Sequence, residues 1–160
     1  KGNDSMKRKI LLGLLLSAGL WMEAGNMSLA ADIPVDEAHF PDANFREYIK
    51  DKIDLDGNGS LSQSEIEAVD SIFNGTSYKY DIKNYKGIEY FSNMGFLVLG
   101  NMSIESLDVS KNTKLEEITI RNCQITNLVL NSDLDGFGYF DGSQISNVDA
   151  KNLKLTNKPT

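Results

Sequence analysis

The sequence predicts an α+β fold, in which a short helical module near the amino end covers one end of a small parallel-β solenoid. Three observations support this prediction. A twelve-residue acidic loop lies between two amphipathic patterns, apolar residues later recur at offsets of 20 and 21, and a basic then apolar segment stands first. We divide the chain into residues 1–31, an extension with a signal peptide; 32–72, a helix–loop–helix cap; 73–93, a connector; and 94–160, the repeats.

The first segment has the pattern of a secretory signal. Met6–Lys9 is basic, Ile10–Trp21 is apolar, and Ser28 and Ala30 are small residues at the two positions that a signal peptidase reads. We expect cleavage after Ala30 or Ala31. A membrane anchor is the alternative, but twelve apolar residues are too few to cross a bilayer. The expected location is therefore secreted or at the cell surface, with no stable membrane span after cleavage.

Composition and charge narrow the class of protein. The 160 residues are 41% hydrophobic and 24% charged, as in soluble globular proteins. Without residues 1–31, the chain keeps 12 basic and 21 acidic residues, a formal charge of −9, which disfavours nucleic-acid binding. Cys123 is the single cysteine, so the fold must be stabilised by metal, by repeat stacking or by both rather than by an intrachain disulfide.

Two helical patterns flank the acidic loop. The first begins after Asp42, the predicted cap, with Asn44 as the alternative, and runs to about Lys52. Its apolar residues recur at spacings of three and four and are Phe45, Tyr48, Ile49 and Ile53. The second is predicted from Ser64 to about Ser71, with Ile66, Val69 and Ile72 facing inward.

The loop from Asp54 to Glu65 satisfies every required position of the EF-hand calcium-binding pattern. Calcium prefers six to eight oxygen ligands, and the extracellular sites bind with dissociation constants of about 10⁻⁴–10⁻³ M. Gly59 permits the sharp turn, and Leu61 is expected to point into the core. A plain polar turn is the alternative. The predicted ligands are Asp54, Asp56, Asn58, the Ser60 carbonyl, Ser62 directly or through water, and Glu65 with two oxygens.

The loop has no second copy. Asn131–Gly136 is superficially similar, but no glutamate closes it, and we interpret it as a turn between repeats. A lone EF-hand needs another surface to cover its helices, and a repeat array needs a cap over its first repeat. We therefore expect the helical module to cap the array.

The repeat is visible when Met94–Val109 is superposed on Leu115–Leu130, because every apolar position and one asparagine recur at an offset of 21. A weaker third copy, Ile145–Ala150, follows at an offset of 20. A Leu-x-x-Leu-x-Leu head with this period is the leucine-rich-repeat signature, in which each repeat contributes a short parallel strand and folds back. An ordinary β-sandwich is the alternative. Cys123 occupies the position where such repeats place Asn or Cys, so we expect it to be buried.

Other candidate sites are weaker. We expect His39 to be a packed surface residue. The tyrosines of the connector are a possible sugar-stacking platform, although such residues more often pack around a loop; they are Tyr78, Tyr80, Tyr85 and Tyr90. Three carboxylates suggest glycoside hydrolysis, but they lie in turns without an accompanying nucleophile or base; they are Asp135, Asp141 and Asp149.

The chain resembles the secreted leucine-rich-repeat surface proteins of gut Firmicutes. The resemblance is carried by the opening segment Asp36–Ile49, the loop Asp54–Glu65, and the join Lys86–Asn93 that leads into Leu107–Asn112. It covers about residues 32–152. The chain departs from the pattern in a longer, tyrosine-rich connector and an irregular third repeat, and we expect a fragment or a truncated family member.

This resemblance implies adhesion or recognition at a bacterial surface without catalysis. We expect calcium to be structural and the partner to be an extracellular protein or glycan. The alternative is an accessory or structural module of a larger secreted hydrolase. A signalling calcium sensor is the third hypothesis for the function, because the predicted signal peptide and the unpaired loop disfavour it.

Overall fold

A computed structural model describes residues 31–75, 79–131, 134 and 137–149. The predicted signal segment, apart from residue 31, therefore lies outside the described residues. No helix in the described ranges is long and apolar enough to cross a membrane. The elements in chain order are β1 Ile33–Pro34, α1 Ala43–Lys52, β2 Ser60–Leu61, α2 Gln63–Ala68, β3 Ser71–Asn74, a 3-10 helix Ile88–Tyr90, β4 Phe96–Gly100, β5 Ser103–Asp108, β6 Glu117–Arg121, β7 Gln124–Val129, β8 Phe137–Asp141 and β9 Gln144–Asp149.

The carboxyl-terminal part is a parallel β-solenoid of about three turns. One sheet has the strand order β3-β4-β6-β8 and the other the order β5-β7-β9, and every pair in both sheets is parallel. Phe96 lies opposite Glu117, an offset of 21, and Glu117 lies opposite Phe137, an offset of 20. The predicted repeat and both of its offsets are confirmed, and the β-sandwich alternative is wrong.

Each turn contributes two strands rather than the single strand that we expected, and this expectation is corrected. The chain bends between the two strands at Asn101, Asn122 and Gly142, where φ is 59°, 51° and 61°. Asparagine and glycine tolerate this left-handed conformation better than other residues. The Asn122 side-chain amide also donates to Asn101 Oδ1 at 3.3 Å, so the bends are stacked. The residue after each bend is buried, including Cys123, as predicted.

Helix α1 begins and ends as predicted. Asp42 caps it, because its Oδ1 accepts hydrogen bonds from the amides of Asn44 at 2.8 Å and Phe45 at 3.1 Å. The predicted apolar stripe of the helix is buried and belongs to the same core as the solenoid residues. The Phe45 ring lies 5.2 Å from the Tyr85 ring, so the helix packs directly against the connector.

The segment after the acidic loop differs from the prediction. Helix α2 ends at Ala68 rather than near Ser71, and Ser71–Asn74 forms strand β3, which pairs with β4. Further along the connector, Asn84 forms a parallel bridge with Ser106 of β5. The described part of the connector thus contacts both sheets, through β3 at its start and through the Asn84 bridge further along. Their buried apolar residues are Tyr80, Ile82, Tyr85, Ile88 and Phe91.

Candidate metal centre

The acidic loop, residues 54–65, joins the end of α1 to the start of α2. Both of its glycines have positive φ, 69° at Gly57 and 82° at Gly59. A Cβ added at either position would meet no atom within 4 Å. Backbone conformation rather than space therefore explains these two glycines. The loop turns sharply at this point and returns as the short strand β2.

Three carboxylates converge inside the loop. Asp54, Asp56 and Glu65 each offer one oxygen, and these oxygens all lie within 4.8 Å of one another. Like charges at this separation repel each other. A divalent cation removes this repulsion, and carboxylate oxygens are the ligands that calcium and magnesium prefer.

Asp54 carries the clearest sign of a ligand. The residue is only 6% exposed. Its Oδ2 accepts a hydrogen bond from the Gly59 amide at 2.9 Å, but its Oδ1 is buried without any hydrogen-bond partner. A buried charged oxygen without a partner is costly. Asn112 Oδ1 is also buried and unpartnered, but it is neutral and belongs to no acidic cluster.

Asp56 and Asn58 are exposed and hold each other in place. Asp56 Oδ1 accepts from the Asn58 amide at 3.0 Å, and Asp56 Oδ2 accepts from Asn58 Nδ2 at 2.8 Å. Asn58 Oδ1 in turn accepts from the Ser60 amide at 2.7 Å. These side-chain-to-backbone turns restrict the rotamers of both residues. Two further predicted ligands are therefore held within the loop before any ion binds.

Glu65 and Ser62 form a capping box at the start of α2. Glu65 Oε1 accepts from the Leu55 amide at 2.8 Å, while Oε2 accepts from the Ser62 amide at 2.9 Å and the Ser62 hydroxyl at 2.7 Å. The pKa of Glu65 is lowered, chiefly by the hydrogen bond from the Ser62 amide and next by the one from the Ser62 hydroxyl. Both carboxylate oxygens are thus engaged, and two-oxygen ligation by Glu65 stays a prediction.

The acidic loop pairs with strand β1 rather than with a second acidic loop. Ile33 pairs with Leu61 and Pro34 with Ser60 in an antiparallel ladder, and the Val35 amide donates to the Gly59 carbonyl at 2.9 Å. Leu61 is fully buried, as predicted. Sequence reasoning missed this contribution, because a two-residue strand has no periodicity; the apolar pair Ile33 and Val35 was its one available signal.

The other predicted candidates do not assemble a site among the described residues. His39 Nδ1 lies 2.7 Å from Asp36 Oδ1, and its ring lies 6.2 Å from that of Tyr90, as a packed surface residue. Tyr80 and Tyr85 are buried and Tyr90 is half-buried, so the described tyrosines do not form an exposed stacking surface. Burial also raises the pKa of Tyr85. Tyr78 lies outside the described residues.

The carboxylates of the repeats are also dispersed. Asp141 ends β8 and Asp149 ends β9, and these strands belong to different sheets. Asp135 lies outside the described residues, as does most of the loop-like segment Asn131–Gly136. The acidic loop is therefore the one cluster of at least three potential metal ligands within the described ranges.

The fold and the site together define a small parallel β-solenoid that carries an acidic loop between two short helices. No model of a known protein family matches the chain, and no curated protein matches it.

Proposed function

We propose that the chain is a secreted, non-catalytic, calcium-binding repeat module that recognises a protein or glycan at a bacterial surface. Calcium would be structural, held in the EF-hand loop by Asp54, Asp56, Asn58, Ser60, Ser62 and Glu65. The observation that supports the metal most directly is the unpartnered, buried Asp54 Oδ1 beside two further carboxylates.

The donor set fits a hard cation. The loop side chains that can ligate a metal do so through oxygen, because the amide nitrogens of Asn58 and Gln63 are not ligands, and three of the residues are carboxylates. A thiophilic or imidazole-binding metal is disfavoured, because Cys123 and His39, the single cysteine and histidine, do not belong to the cluster. When bound, calcium would supply charge neutralisation and tie the ends of α1 and α2 together.

The contacts of α1 support a structural rather than a switching role for calcium. Asp42 caps this helix with Oδ1, while its Oδ2 accepts from the amides of Lys83 at 2.8 Å and Asn84 at 3.0 Å. Asn84 continues into the bridge with β5. Stabilising the loop would therefore stabilise the helix, and through Asp42 the first turn of the solenoid. This is the capping role that we propose for the helical module.

Recognition would belong to the solenoid, whose sheets repeat similar side-chain positions from turn to turn. The charge of −9 without residues 1–31 is compatible with an extracellular partner that is not itself strongly acidic.

A thermal melt with calcium or chelator tests the proposal on the chain without its predicted signal peptide. Calcium must raise the midpoint if it binds the folded state. Glu65→Gln should remove this rise. Glu67→Gln is the matched control, because Glu67 lies on the same helix, is exposed and accepts a hydrogen bond from Gln63 instead. An unchanged wild-type midpoint at several millimolar calcium would refute the metal site.

A further inference from the structure

The outer face of the four-stranded sheet carries a row of mostly apolar side chains, in which Thr119 is polar and buried. Strand register places Phe73, Val98, Thr119 and Tyr139 opposite one another on β3, β4, β6 and β8. Neighbouring strands are about 4.8 Å apart, so Phe73 and Tyr139 are separated by about 14 Å. Phe96 stands two residues from Val98 on the same face. We call Phe73, Phe96, Val98, Thr119 and Tyr139 the platform.

The two phenylalanines of the platform are unusually exposed. Phe73 is 62% and Phe96 is 44% exposed, although their neighbours Ile72 and Leu97 are fully buried. Solitary exposed apolar residues need no explanation, but two exposed phenylalanines on adjacent strands of one face indicate a contact surface. The tyrosines singled out from the sequence are thus not the aromatic surface; these phenylalanines on the strands are.

Polar groups accompany the platform along β6. Thr119 Oγ1 donates to Glu117 Oε1 at 3.0 Å, and the Arg121 guanidinium carbon lies 5.2 Å from the centroid of the Tyr139 ring. The contact with Arg121 restricts the ring of Tyr139. One carboxylate, one hydroxyl and one guanidinium therefore alternate along a strand, and the two charges offset each other.

This combination favours a neutral glycan over a peptide or an acidic polymer. Sugars present apolar C–H faces that suit aromatic rings, and hydroxyls that both donate and accept hydrogen bonds. A peptide strand that extends the sheet would pair with an end strand, β3 or β8, whereas the platform lies on the face of the sheet. The balanced charges of Glu117 and Arg121 match an uncharged partner, and the net acidity of the chain opposes an anionic one.

We propose that the platform binds a neutral glycan, with Phe73, Phe96 and Tyr139 stacking on sugar rings and Glu117 and Arg121 contacting hydroxyls. This inference rests on the proposed recognition function and names its ligand class. It is independent of the acidic loop, because none of the platform residues belongs to residues 54–65.

Affinity electrophoresis in gels containing xyloglucan, galactomannan or soluble starch tests this inference. We expect at least one of these neutral polysaccharides to retard the chain, with heparin and polygalacturonate causing no retardation. Phe96→Ala and Tyr139→Ala should each weaken the affinity about fivefold or more. Val148→Ala is the matched control, because Val148 is 46% exposed on β9 in the other sheet.

The outcomes separate this inference from the proposed function. No retardation by any neutral polysaccharide, or equal retardation of wild type and Phe96→Ala, overturns the glycan assignment. Retention on an immobilised proline-rich peptide that is lost in Phe96→Ala also overturns it, but leaves recognition by this face standing. The thermal midpoint of each variant in chelator, which does not depend on the calcium site, is compared with that of the wild type. Lost binding at an unchanged midpoint separates a lost contact from a folding defect.

Discussion

Replacing Asp54 by asparagine should have opposite effects with and without calcium. The substitution keeps an oxygen to accept the Gly59 amide, which donates to Asp54 Oδ2 at 2.9 Å in the wild type. It also replaces the unpartnered Oδ1 by an amide group that can donate to the neighbouring carboxylates. In chelator, the variant should therefore be more stable than the wild type.

The size of the effect follows from the geometry. Removing one of three charges whose oxygens lie within 4.8 Å should stabilise the metal-free chain by about 1–2 kcal/mol, since Asp56 is exposed and water screens its charge. With a dissociation constant of about 10⁻⁴–10⁻³ M, calcium at about 10 mM should stabilise the wild type by about 1.4–2.7 kcal/mol. Asp54→Asn should gain little of this stabilisation by calcium.

Urea unfolding of both chains, in chelator and in calcium, measures these free energies. We expect the advantage of Asp54→Asn in chelator to vanish or reverse in calcium, with Glu67→Gln following the wild type in both. A variant that is less stable in chelator would show that Asp54 is not under electrostatic strain. An equal calcium response in variant and wild type would refute ligation by Asp54.

Three further predictions concern the loop, the connector and the core. Because the pKa of Glu65 is lowered, its contribution to the free energy of unfolding is complete above the ordinary pKa of about 4.3 and is lost as pH falls through the folded value. Ser62→Ala should reduce this acid-sensitive contribution and cost about 1 kcal/mol in urea unfolding at neutral pH. An unchanged dependence of stability on acid pH would contradict this prediction. Gly87→Ala should cost at least about 3 kcal/mol in urea unfolding, since its φ is 103° and the added Cβ would lie 2.8 Å from a backbone oxygen. Gly57→Ala in chelator should cost only about 1–2 kcal/mol, for the backbone conformation alone. Similar losses in the two variants would show that close packing at Gly87 adds no cost. Burial raises the pKa of Cys123, so a thiol reagent should label the native chain far more slowly than the urea-unfolded chain, and equal labelling rates would contradict its burial.

The repeats were predictable because their signal is periodic. Offsets of 21 and 20 in the sequence became the strand registers Phe96 to Glu117 and Glu117 to Phe137. Helix α1 was predictable because its cap and its apolar stripe are local features. The acidic residues of the loop were recognisable from spacing alone, and all three converge.

The remaining features depend on tertiary contacts that leave no local pattern. Strand β3 has four residues, and Val69 and Ile72 are spaced as in a helix, so only pairing with β4 makes this segment a strand. The bends at Asn101 and Asn122 divide each repeat between two sheets, which a count of apolar positions does not reveal. The exposure of Phe73 likewise follows from strand alternation, which cannot be assigned before the strand itself is known.

Isothermal calorimetry, in which calcium is titrated into the chain without its predicted signal peptide, is the decisive measurement for the metal site. We expect one ion per chain, with a dissociation constant of about 10⁻⁴–10⁻³ M, and weaker binding at acid pH, because protons compete for the ligands. Glu65→Gln should weaken binding at least about tenfold, while Glu67→Gln should leave it unchanged. No saturable heat at several millimolar calcium, or equal binding by wild type and Glu65→Gln, would contradict a calcium site at Asp54–Glu65.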